Sequence, residues 1–177
     1  MKKHLYTSER LGFRNWSLTD LEQLSAMNSD PKVMEFFPKV YSKEESKDFI
    51  LRMQSHFNKY DYCYFAVDHL IDKEFIGFIG LCFQDYEAFF TPCVDIGWRL
   101  KKSSWNAGYA TEGALATLDY AFNKLSLESV YSIAPEINLK SQKIMRKIGM
   151  KKLGLFKHSK LKETPNLQTC VVYEIKK

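Results

Sequence analysis

At 177 residues, with 45% apolar and 15% aromatic content, the chain is long enough to bury one real core, and residues 1–177 are expected to form a single domain. The formal charge of +5 comes from 26 Lys and Arg mixed with 21 Asp and Glu, without a dense basic arm or an RNA-binding motif, so no nucleic-acid partner is expected. The longest apolar run, Phe75 to Phe83, is far short of the ~18 residues of a membrane span, and the opening M-K-K-H-L-Y-T lacks an apolar signal segment; no membrane partner and a cytoplasmic location are expected.

The first predicted strand is Leu11 to Trp16, followed by a helix from Ser17 to Asn28 with Thr19 and Glu22 at capping-box spacing. Asp30-Pro31 opens a short helical turn through Phe36 and Phe37, and Ser42 and Glu45 repeat the capping-box spacing before a stripe of Phe49, Ile50, Met53 and Phe57. Tyr62 to Asp68 and Glu74 to Phe83 read as strands, Gln84 to Pro92 as a loop and Cys93 to Leu100 as a strand. A helix from Gly108 to Leu125, a strand from Val130 to Ala134, a helix from Asn138 to Ile148, and strands at Lys151 to Phe156 and Cys170 to Ile175 complete the order. Mixed strands and helices without a linker or repeat imply an α/β layer fold with helices on both faces.

Cys63, Cys82, Cys93 and Cys170 are scattered and form no C-x-x-C pair, which argues against a metal site or a disulfide framework. They read as core residues or free thiols, with Cys93 the one candidate for reactivity.

The segment from Val94 to Phe122 is the most informative, because a strand runs into a small-residue loop that opens directly into a helix. The first turn of a helix has N–H groups without intrahelical acceptors at the positive end of its dipole, and such a place binds phosphate or pyrophosphate. Gly108 admits unusual backbone angles, Ala107 and Ala110 keep side chains short, and Thr111 adds a hydroxyl. An ordinary strand-to-helix turn would use the same residues. Neither G-x-x-x-x-G-K-[ST] nor G-x-G-x-x-G occurs.

Four ordered segments resemble the GNAT superfamily of N-acetyltransferases, most closely its ribosomal-protein N-terminal acetyltransferase-like (RimJ/RimL-type) branch. Trp105-x-x-Gly108-x-Ala110 is similar to the [Q/R]-x-x-G-x-[G/A] acetyl-CoA signature, and Ser8-Glu9-Arg10-Leu11-Gly12-Phe13-Arg14 to the T-E-R-L-x-L-R opening. Asp95-Ile96-Gly97-Trp98 resembles the [E/D]-I-G-[Y/W] strand. Asn138-x-x-Ser141, with Met145-Arg146-Lys147-Ile148-Gly149-Met150, resembles the segment that closes the cofactor site.

The resemblance implies a GNAT-type α/β (α+β) fold, with a mixed, mostly antiparallel sheet of about seven strands, and an acetyl-CoA-dependent N-acetyltransferase. Acetyl-CoA is then a co-substrate and no metal is needed. Trp98 and Leu100 would offer main-chain groups to the pantetheine arm, Trp105, Asn106, Ala107, Gly108, Tyr109, Ala110 and Thr111 would hold the pyrophosphate, and Asn138 and Ser141 would meet the far end of the arm. Lys101, Lys102, Lys140 and Arg146 would attract the polyanion.

Direct attack on a thioester needs a free amine, and Asp95, on the strand where the resemblance implies an acidic residue near the acetyl group, is the first candidate base and Glu87 in the loop before it the second; each has a plain alternative, as a strand pairing residue or a solvated loop charge. Ser141 either relays a proton to the CoA thiolate or only bonds the cofactor, and Asn138 doubles as an N-cap. The chain departs from the pattern at Asn106, where Gly is common, at Ala107, where a cation is common, and at Met145, where many members carry a tyrosine acid. Ile133 stands where the ribosomal alanine acetyltransferases have a glutamate base. Those departures favour a noncatalytic acyl-CoA-binding module as the alternative, with an RNA- or ribosome-associated protein as a weaker rival.

Met34, Phe36, Phe37, Tyr41, Tyr86, Phe89 and Phe90 either fill the core or border the acceptor cleft, where they would favour a protein N-terminus or a hydrophobic amine over a strongly cationic one. A homodimer is compatible with the resemblance.

Overall fold

The computed structural model describes residues 3–177 and contains one eight-stranded sheet in the order β1-β2-β3-β4-β5-β6-β8-β7. The strands are β1 (Tyr6–Thr7), β2 (Leu11–Arg14), β3 (Tyr64–His69), β4 (Phe75–Gln84), β5 (Cys93–Leu100), β6 (Ser129–Pro135), β7 (Lys151–Lys157) and β8 (Thr169–Lys176). Every neighbouring pair is antiparallel except β5 and β6. Their parallel connection requires a crossover, and α3 (Tyr109–Asp119) supplies it. The sheet has one strand more than the sequence predicts, because the two-residue β1 carries too little periodicity to be seen without its partner β2.

Helices cover both faces, since successive residues of a strand point to opposite sides. Phe78 of β4 meets Phe49 of α2 (Lys43–Tyr60), ring centroids 5.0 Å apart, on one face. Ile79 meets Gly113 of α3 on the other; a Cβ there would lie 2.3 Å from the Ile79 methyl. The remaining helices are α1 (Leu21–Asn28), α4 (Leu139–Lys147) and α5 (Pro165–Gln168).

The Ser42/Glu45 capping box forms as predicted. The earlier one does not: Ser17 and Asp20 make the box in place of Thr19 and Glu22, and three residues of tight 3₁₀ turn precede α1. Asp20 is chosen because it also accepts two bonds from Arg14, at 2.7 and 2.9 Å. The predicted short helical turn after Asp30 takes the form of hydrogen-bonded turns over 31–36, with the Met34 N–H donating to the Asp30 carbonyl at 3.0 Å, and gives way to bends at 37–39. The long helix predicted from Gly108 to Leu125 is α-helical only to Asp119 and then widens, with the Leu125 N–H reaching the Tyr120 carbonyl at 3.1 Å while the Tyr120 ring stacks on Tyr6.

Arg14, 2% exposed, also donates to both oxygens of Asp68 at 2.6 and 2.8 Å, tying β2, β3 and the entry to α1 together. Burial alone would lower its pKa, but the bonds to Asp68 and Asp20 outweigh that and raise it. The cysteines are free thiols. No described helix is long and apolar enough to cross a membrane. Arg14→Met leaves Asp20 and Asp68 buried without their guanidinium, so urea denaturation should show a loss of ~3–5 kcal/mol in unfolding free energy.

Candidate active site

Strands β5 and β6 meet at a single pair, Asp95 with Tyr131, and then part. Each is held from its far side: β5 pairs with β4 at eight positions and β6 with β8 at seven. The Ser132 hydroxyl donates to the Ile96 carbonyl at 3.0 Å where the strands separate. A cavity of about 810 Å³ fills the opening.

The Lys101 N–H donates to Ile76 of β4, whereas the Ile96 carbonyl takes the Ser132 hydroxyl and the Leu100 carbonyl takes the Trp105 indole N–H at 3.0 Å from the other side. Strand groups alternate in direction, so the Trp98 N–H and C=O and the Leu100 N–H face the opening.

At the mouth, the N–H groups of residues 106 to 111 have no acceptor among the described residues; the next one along, that of Glu112, donates to the Gly108 carbonyl at 3.0 Å. Gly108 caps α3 at φ +84° and Asn106 sits at φ +61°, which explains why glycine suits both positions and why asparagine, tolerant of left-handed angles, replaces it at the second.

The helix start is tied down from the N-terminal segment. Glu112 accepts from Ser8 Oγ at 2.6 Å and from the Arg10 backbone N–H and Nε at 2.8 and 2.7 Å. Burial would raise the Glu112 pKa, but those donors outweigh it and hold it below the usual carboxylate range. Arg10 also covers the Tyr109 ring at 4.5 Å.

Trp98, Leu100, Trp105, Asn106, Gly108, Tyr109, Ala110, Thr111, Asn138 and Ser141 all line the cavity, and Ala107 does not. Asn138 is the N-cap of α4, its Oδ1 accepting the Ser141 N–H at 3.1 Å, while the Ser141 hydroxyl has no protein partner among the described residues. Of the predicted cations only Lys140 lines the cavity, together with Lys143 and Lys147 from the same helix. Lys101 is engaged by Gln23 and Glu74, Arg146 by the Tyr173 hydroxyl, and Lys102 is exposed away from it. Met145 is buried.

The two candidate bases separate clearly. Glu87 is exposed on its loop and does not reach the cavity. Asp95 lines it, 7% exposed, accepting from the Tyr64 hydroxyl at 2.6 Å and from Gln84 Nε2 at 3.2 Å. Burial pushes its carboxyl up to about 6, against the two hydrogen bonds that favour the charged form. Tyr64 reaches across from β3 because Gly97 leaves its ring room; a Cβ there would lie 3.0 Å from the ring. Cys93 is buried and its thiol is pushed up to about 12, so it is not a thiolate near neutral pH.

Asp95, Gly97 and Arg99 share one face of β5. Arg99, 7% exposed, donates to Asn28 Oδ1 at 2.7 Å and lies against Phe37, Phe78 and Tyr41 at 4.0, 5.1 and 5.4 Å from the ring centroids. Its Nε has no hydrogen-bond partner among the described residues, a deficit of ~1–3 kcal/mol for a buried donor. Burial lowers its pKa to about 10, which still leaves it charged at neutral pH. Of the predicted aromatics, Phe36, Phe37 and Tyr41 line the cavity; Met34 is buried, and Tyr86, Phe89 and Phe90 lie outside it.

Sequence reasoning missed Tyr64, Gln84 and Arg99. Only Gly97, inside the recognised strand motif, hinted that a large side chain crosses there. Tyr64→Phe removes a donor that favours the Asp95 carboxylate, so a ¹³C carboxyl NMR titration should place its midpoint above about 6.

The acetyltransferase (GNAT) domain model matches residues 10–151. An uncharacterised N-acetyltransferase of Bacillus subtilis strain 168, YnaD, is 31% identical over 153 residues, 85% of each chain. A solved GNAT-family acetyltransferase from Bacillus anthracis is 27% identical with a TM-score of 0.79, over 96% of each chain. Spermidine N-acetyltransferase from Vibrio cholerae, solved with CoA and spermine, shares the fold at 19% identity and a TM-score of 0.75, covering 94% of this chain and 95% of that one. A polyamine enzyme with the same fold means that the fold alone does not single out the ribosomal-protein branch. The chain belongs to the GNAT acetyltransferase family and is an acyltransferase.

Proposed function

We propose that this acetyltransferase moves the acetyl group of acetyl-CoA directly to a primary amine, on a protein N-terminus or a small molecule, without a covalent enzyme intermediate. The observation that carries the reading is the row of N–H groups at 106 to 111 without an acceptor among the described residues, all but Ala107 belonging to residues that line the same cavity as the parted strands and Asp95. The helix start takes the pyrophosphate, with Lys140, Lys143 and Lys147 adding positive charge nearby. The pantetheine amides pair with the main chain of Trp98 and Leu100 in the opening.

The acceptor enters on the Asp95 side. Ionised Asp95 takes a proton from the ammonium, which frees the nitrogen lone pair. The N–C bond forms as the thioester carbonyl becomes an oxyanion, and the N–H of Trp98 or Leu100 stabilises it. The C–S bond then breaks, the thiolate takes a proton from the Ser141 hydroxyl, which has no partner among the described residues, and the second proton of the newly acylated nitrogen returns to Ser141, leaving a neutral amide, a thiol and a restored hydroxyl. Met145 supplies no acid, so this role falls to Ser141 or water.

Gly108→Val forces a β-branched residue into left-handed angles and shifts the amides; calorimetric CoA affinity should fall by about tenfold, ~1.4 kcal/mol. Asp95 carries the required charge only above its midpoint, so kcat/KM from thiol release should rise with pH through about 6. Asp95→Asn should remove that limb and lower the rate by ~10²–10⁴-fold. A flat profile across that range in the wild type would rule Asp95 out as the base.

A further inference from the structure

The acceptor side of the cavity holds a buried cation, Arg99, that forms no ion pair with a carboxylate among the described residues. Arg99 donates to a neutral amide, lies among three aromatic rings, and keeps an Nε–H without a partner. Buried charges are ordinarily paired, and an arginine's planar fork matches a carboxylate. Arg52 faces the same space and adds to its positive potential, as does Lys32; Glu35 is the opposing charge there besides Asp95.

We propose that Arg99 receives a carboxylate carried by the amine acceptor, so that the favoured substrates are amines bearing a carboxylate several bonds from the nitrogen. This deepens the acetyl-transfer reading and rests on it. Asp95 and Arg99 lie on one strand face four residues apart, ~13 Å along the strand. An α-amino acid, with its ammonium and carboxylate on one carbon, does not span that distance. A short peptide or a chain with amine and carboxylate at opposite ends does. A polyamine places a second cation against Arg99 and is disfavoured.

The test is a series of ω-amino acids, from glycine to 8-aminooctanoate, each paired with its carboxamide and assayed by thiol release with acetyl-CoA. The longer carboxylates should exceed their carboxamides in kcat/KM by about tenfold or more. Arg99→Met should bring that ratio close to one. The ratio is internal to each protein, so a partly folded variant does not distort it. As a measurement independent of turnover and of any variant, calorimetry with CoA present should show wild-type protein binding hexanoate better than hexanamide.

Equal ratios in the wild type, a preference for carboxamides, or no hexanoate preference would overturn the assignment. So would a ratio that survives Arg99→Met. If Arg99 instead favours succinyl-CoA over acetyl-CoA with neutral amines, the carboxylate belongs to the acyl group and the acceptor assignment is wrong. Turnover of neutral amines without a carboxylate preference sinks this inference alone, whereas absence of CoA binding sinks the transfer reading itself.

Discussion

The parting of β5 from β6 is the constraint on which the rest of the site depends. A parallel pair could zip along its whole length, yet these two strands share one register pair, while each keeps a longer antiparallel ladder on its other side that holds it in place. The result is a stretch of strand edge whose main-chain groups face a cavity instead of a neighbour. Such groups need partners when water is excluded, and an extended molecule with its own amides can provide them. The Ser132 hydroxyl and the Trp105 indole each satisfy one carbonyl at the margins and leave the middle open.

A second feature keeps the mouth of that opening in order. The turn from Asn106 to Thr111 would be a loose loop if it depended only on its own small residues. Ser8 and Arg10, about a hundred positions earlier in the chain, hold Glu112 and so fix the first turn of α3 from behind. Arg10 also neutralises the carboxylate that would otherwise sit beside an incoming anion. Positioning and electrostatics are thus served by one contact. The opposite face of β5 has a different character: a carboxyl with a raised pKa at one end and a cation enclosed by aromatic rings at the other.

Much of the proposed cofactor side was legible in the sequence because its groups are local. The strand from Cys93 to Leu100, the glycine at 108 and the N-cap at Asn138 each act within a few residues of where they stand. The acceptor side was not legible, since Tyr64 meets Asp95 only because β3 and β5 flank β4 and Gly97 clears the way. Glu87, the second candidate, is also acidic and a near neighbour of Asp95 in sequence. The end of the strand separates them, one in the sheet and the other in solvent. Likewise Lys101, Lys102 and Arg146 were counted for their charge, but the direction of a side chain is decided by its element, and theirs point elsewhere.

By itself, then, the sequence determined the family, the alternation of strands and helices, and the loop whose amides are free, because small residues, glycine and apolar periodicity act over short range. Tertiary structure alone decided which carboxylate enters the cavity, how far its pKa is raised, and that Arg99 is buried without an ion-pair partner among the described residues. Those properties depend on burial and on neighbours distant in the chain, and neither is written in any local pattern.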